Sequence, residues 1–216
     1  MLLSIIRQNQ KLAAKRNPAF DRNRFAKFLI YFMVAFWAAY LIFIGVMLSF
    51  AFEDIFPSME PYHIMNQGLI YLLILDFLLR FMLQPAMSQE IKPYLLMPIK
   101  KNKLVDTLLL QSGISSYNFF WFFLIVPFAL LTIIRFYEFT GILCYLCGIW
   151  LLMAMNSYWY LICKTLLNEK LLYILLPIGV YGLLAGTEFI PEGNPVSTFM
   201  MNLGEGFIEG NILAFL

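Results

Sequence analysis

Asp76 and Arg80 are the one pair of opposite charges lying inside a long apolar run of this chain. Ionisable side chains surrounded by hydrocarbon are costly, and they are functional candidates wherever they occur. Four residues apart, the two share one face of a helix and neutralise each other. Arg80 falls within a turn of the run's end, so its long side chain is expected to reach the membrane interface. The favoured reading is therefore a structural ion pair. A single such pair makes no proton pathway.

Other chemistry is sparse. Cys144 and Cys147 have metal-ligand or redox spacing, yet they stand in an apolar run with only Cys163 elsewhere, and they read as free cysteines packed in a helix. His63 is the single histidine, which excludes an H-E-x-x-H metalloprotease and argues against a histidine-based zinc site. No G-x-x-x-x-G-K-S/T run is present to cradle nucleotide phosphates. Neither a catalytic group nor a cofactor or metal site is expected, and an intramembrane protease would need carboxylate, Ser–His or Glu/His sets that are missing. Gly182 and Gly186 have the G-x-x-x-G spacing that lets another helix approach closely, within the chain or across a homodimer.

The elements that must carry these residues follow from composition. Of 216 residues 62% are apolar and 13% charged, and the mean hydropathy is +0.77. A soluble domain carries about a quarter charged residues, so this chain is expected to lie in a membrane. About 20 apolar helical residues cross a bilayer core, and five runs qualify: 28–52, 64–83, 108–134, 141–163 and 171–189. The expected fold is an all-α polytopic membrane protein with five transmembrane helices.

Orientation follows from the basic residues. All but one of the 15 Lys and Arg residues fall on the side of the N-terminus, before residue 28, around 80–103 and at 164–170. Arg135 alone lies opposite, among Glu53, Asp54, Glu60, Glu138, Glu188, Glu192, Glu205 and Glu209. The N-terminus is expected in the cytoplasm. A net charge of +2 gives no reason to expect nucleic acid.

Segments outside the spans have their own patterns. Residues 2–16 alternate an apolar side (Leu2, Ile5, Ile6, Leu12) with Arg7, Lys11 and Lys15, as a helix on a membrane surface would. After Pro195, the spacing of Val196, Phe199, Met200, Leu203 and Phe207 suits a helix resting on the outer leaflet. Residues 212–216 read as the start of a sixth span, so the sequence is expected to be the N-terminal part of a longer protein. The expected organisation is a cytoplasmic amphipathic segment, 1–27, followed by a transmembrane domain, 28–216.

The most informative stretch is the connection 84–107. It contains Glu90, then an apolar cluster of Ile91, Tyr94, Leu95, Leu96, Met97 and Ile99 bracketed by Pro93 and Pro98, then Lys100, Lys101 and Lys103. An apolar cluster in a cytoplasmic loop must be covered, by the membrane interface or by a partner protein.

Glu90 and Leu95-Leu96-Met97-Pro98-Ile99-Lys100-Lys101 resemble the element that permeases of ABC-2-type exporters carry between their second and third spans. There, an acidic residue precedes L-L-x-x-P and a basic cluster. Gln89-Glu90-Ile91-Lys92-Pro93 departs from the E-R-E-x-G-T run of many such permeases. Along most of its length the chain is also similar to the N-terminal part of an uncharacterised family of multi-span proteins of Bacteroidota. The resemblance implies a permease subunit in a bacterial inner membrane, served by a separate ABC ATPase that docks on this loop. The basic N-terminal segment would correspond to the elbow helix of those permeases. Tyr94, Leu95, Leu96 and Ile99 would supply the apolar anchor, and Lys100, Lys101 and Lys103 the electrostatic steering. The competing expectation is a non-transporting membrane scaffold or regulatory protein using the same loop.

Overall fold

The proline-free, almost uncharged run after Lys27 dictates one long helix, and the computed structural model of the protein contains it. The structure describes residues 8, 9, 12, 24–84, 100–187 and 194–215. The amphipathic segment expected at 2–16 therefore lies almost wholly outside the described residues. Helix α1, Arg24–Ile55, is 32 residues long. At about 1.5 Å per residue it exceeds a bilayer core of roughly 30 Å.

The second apolar run is broken. Pro61 opens a short helix, α2 (Pro61–Gln67), and α3 (Leu69–Leu83) follows after Gly68, at an angle of 48°. The third is broken more sharply. α4 (Lys101–Gly113), α5 (Ser116–Phe120) and α6 (Phe122–Thr132) follow one another, with Ser115 capping α5 through Tyr117 N–H. Residues 102–120 and 122–135 meet at 62°. The last part of the expected 84–107 loop is thus helical, because α4 begins at Lys101.

Next come α7 (Phe139–Glu169), the 3-10 turn Leu171–Ile174, α8 (Leu175–Gly186) and α9 (Pro195–Ile208). No strand occurs among the described residues. Among the described residues two helices, α1 and α7, are long and apolar enough to cross a membrane, and the count rises to four if each bent pair is one span. The expected fifth span is shorter than its apolar run, because Leu171–Ile174 winds as a 3-10 turn and Leu171–Gly186 spans only 16 residues.

The main core lies where α1, α2, α6, α7 and α9 meet, around Phe128, Ile125, Tyr145 and Ile149. Between lipid-facing helices, burial from water adds little and close van der Waals packing must hold them. Gly45 supplies that contact for α1, since a Cβ there would collide with the Leu124 carbonyl. Gly148 does the same on α7, against the Phe207 ring.

Residues 194–215 close the described part of the chain. α9 is a helix, capped by the Asn194 side chain, and it buries Gly204, Gly206, Phe207 and Ile208 against the bundle. Residues 212–215, expected as the start of a sixth span, form no α-helix. Gly210 takes φ +70°, Ile212–Ala214 makes one 3-10 turn, and Phe215 folds back to 5.1 Å from the Phe207 ring centroid.

Candidate functional site

One turn apart on α3, Arg80 Nε donates to Asp76 Oδ2 at 2.7 Å. Arg80 is 0% exposed and Asp76 3%. The expected reach of Arg80 to the interface does not occur. Its guanidinium turns inward because stronger partners wait there: Nη1 donates to Ser157 Oγ at 3.1 Å and Nη2 to Asn118 Oδ1 at 2.8 Å. Asp76 accepts two more hydrogen bonds, from Trp121 Nε1 at 2.8 Å and Asn156 Nδ2 at 2.7 Å. A buried pair is tolerable when each charge is paired and its remaining lone pairs and protons find partners, and this shell approaches that condition.

The break after Gly113 explains why the shell assembles here. A helix end leaves carbonyls without intrahelical partners. Asn118 Nδ2 donates to the Ser112 and Gly113 carbonyls, and its other end accepts from Arg80. Ser112 Oγ and Ser157 Oγ lie 2.7 Å apart. Tyr181 OH, on α8, donates to Asn156 Oδ1 at 2.6 Å. The network therefore joins α3, the α4–α5 break, α7 and α8.

The far end of α3 is also fastened. Tyr160 OH donates to the Gln84 carbonyl at 2.6 Å, and Lys164 Nζ to the Phe81 carbonyl at 3.1 Å. The same ammonium sits 4.3 Å from the Phe81 ring centroid, a cation–π distance. So the last described turn before the connection is tied to α7. Lys100 and Lys103, beyond it, are exposed, and Lys101 is the first residue of α4. Glu90, Tyr94, Leu95, Leu96, Pro98 and Ile99 lie outside the described residues.

The family comparison matches residues 10–216 to a family of unknown function, DUF5687. The chain belongs to that family. No curated protein and no solved structure matches it.

Other candidates fall apart from this centre. A Cβ placed at Gly182 or Gly186 would meet no neighbouring atom within 4 Å among the described residues. Cys144 is half-buried, Cys147 exposed and Cys163 buried, all free. Among the described residues no group of three or more His, Cys, Asp or Glu side chains could hold a metal ion. His63 Nε2 pairs with Glu205 at 2.9 Å at the opposite end of the bundle.

Sequence reasoning found Asp76 and Arg80 but missed Ser112, Asn118, Trp121, Asn156, Ser157 and Tyr181. The available signal was the side-chain amide. An Asn inside an apolar span is costly unless it is hydrogen-bonded, and Asn118 and Asn156 stand in such spans.

Proposed function

We propose that the chain is a permease-type subunit of a bacterial inner-membrane ABC exporter, with five spans and a cytoplasmic N-terminus. In this reading, the 84–107 connection is the docking element for a separate ATPase. Tyr94, Leu95, Leu96, Pro98 and Ile99 enter a cleft on the ATPase, while Glu90, Lys100, Lys101 and Lys103 set its approach. Closure of the ATPase pair then pushes on the ends of α3 and α4.

One observation carries the reading beyond the loop motif. The helix before the connection and the helix after it are bound to each other and to α7 through Arg80, Asn118 and Ser157. A push on the loop would therefore move three helices as one body rather than bend a loose hairpin. Two such halves, from one long chain or a homodimer, would form the path.

The test is a detergent pull-down of the tagged full-length protein from its host, beside a variant with Leu95, Leu96 and Ile99 changed to Ser. Copurification of a P-loop ATPase with the native loop only is the expected result. Absence of an ATPase from both samples would overturn the exporter reading in favour of a membrane scaffold.

A further inference from the structure

α8 lies on the bundle by one edge. Of its residues only Pro177 is buried, while Leu175, Ile178 and Leu183 are 61%, 59% and 76% exposed. Its edge meets the small core of Phe77, Tyr160 and Cys163, on which Leu176 and Tyr181 pack. The Tyr181 ring centroid stands 5.0 Å from that of Phe77.

The ends of α8 are tied differently from its middle. The 3-10 turn Leu171–Ile174 leads into it from α7, and such turns within a helical run are common hinge points. At the other end Thr187 Oγ1 donates to Asn194 Oδ1, the cap of α9, at 2.9 Å. Between these ends Tyr181 is the only residue of α8 with a polar side chain. Its hydroxyl donates to Asn156 Oδ1 at 2.6 Å. Asn156 Nδ2 is already engaged by Asp76 Oδ2 and the Leu73 carbonyl. The single fastening of the helix middle is therefore joined to the carboxylate of the buried ion pair. One hydrogen bond and a narrow apolar seam make separation here far cheaper than unfolding of the whole bundle.

Beneath the seam lies a thiol. Cys163 on α7 is 2% exposed, covered by the cluster that includes Leu176 and Tyr181. Lys164, beside it in sequence, is partly exposed and reaches the Phe81 carbonyl near the end of α3. Water thus stands close to Cys163 once the edge lifts. A thiol packed in apolar surroundings is inert until then.

We propose that α8 is a strap: it is fastened to the bundle by the Tyr181–Asn156 bond and bows away about the Leu171–Ile174 turn, uncovering Cys163 and the Asn156 side of the ion pair. Neither an ATPase nor a substrate is involved, so the strap stands or falls apart from the transport reading.

The test times the labelling of each cysteine by N-ethylmaleimide in the full chain in detergent, read by peptide mass spectrometry. Cys147, exposed, and Cys144, half-buried, lie on the same helix and serve as references. In the native chain Cys163 is expected to react more slowly than Cys147 but faster than the chain unfolds. Tyr181→Phe keeps the ring over the thiol and removes only the hydroxyl. It should speed the labelling of Cys163 about fivefold, the factor set by the net weight of one hydrogen bond, and leave Cys144 and Cys147 unchanged. A Cys163 rate no faster than global unfolding would overturn the proposal. So would an unchanged Cys163 rate in Tyr181→Phe, or an equal rise at all three cysteines.

Discussion

Among the described residues the bundle holds two Arg–carboxylate pairs that differ in everything but their charges. Arg80 and Asp76 have side chains 0% and 4% exposed and are wrapped by Asn118, Ser157, Trp121 and Asn156. Arg135 and Glu53, at the opposite end of the bundle, pair while 48% and 38% exposed. The exposed pair gains little, because each of its partners can be hydrated instead. The inner pair has no water to fall back on, so losing one partner strands the other. The difference teaches that the weight of an ion pair in this chain is set by its surroundings, and the predictions vary those surroundings in turn.

The largest effect belongs to the inner pair. Arg80→Gln or Asp76→Asn alone leaves a buried charge unmatched and is expected to cost about 3–5 kcal/mol, read as a lowered unfolding midpoint in detergent. Asn118→Leu removes an acceptor from Arg80 and the cap from two carbonyls of α4. It should cost about 2–3 kcal/mol on the same assay. A third comparison concerns packing. Gly45→Leu forces α1 off the Leu124 carbonyl and should cost about 1–3 kcal/mol, whereas Gly182→Leu, in open space, should change stability by less than about 0.5 kcal/mol. A large loss at Gly182 would mean that its face is covered in the native assembly. Among the ion-pair variants the smallest effect is that of Arg135→Gln, at most about 1 kcal/mol and shrinking as salt is added.

Much of the fold was readable in advance, for a physical reason. The long uncharged runs and the lopsided lysines report on single helices and their surroundings, which a one-dimensional pattern carries. α1 and α7 were legible in that way, and so was the Asp76–Arg80 spacing. What failed to show depends on how helices meet. Pro61 and Gly68 bend the second run, and Gly113 with Ser115 breaks the third, but no spacing rule states the angle. The fate of Arg80 hinged on Asn118 and Ser157, 38 and 77 residues away. Gly182 and Gly186 carried the recognisable small-residue motif, while the close approaches fell to Gly45 and Gly148, each of which lacks a second glycine four residues away. The docking candidates from Glu90 to Ile99 were read from the loop's composition and resemblance alone.

The central claim is that Asp76 and Arg80 are a mutually neutralised brace between the helices that flank the connection. A double-mutant cycle with Asp76→Asn and Arg80→Gln, read as unfolding free energy of the full chain in detergent, tests it most directly. The double variant is expected to be no less stable than either single one, since it leaves no buried charge unmatched, a coupling of about 3 kcal/mol or more. Additive losses in the double variant would contradict it, because two residues that stabilise the protein independently are not a neutralised pair.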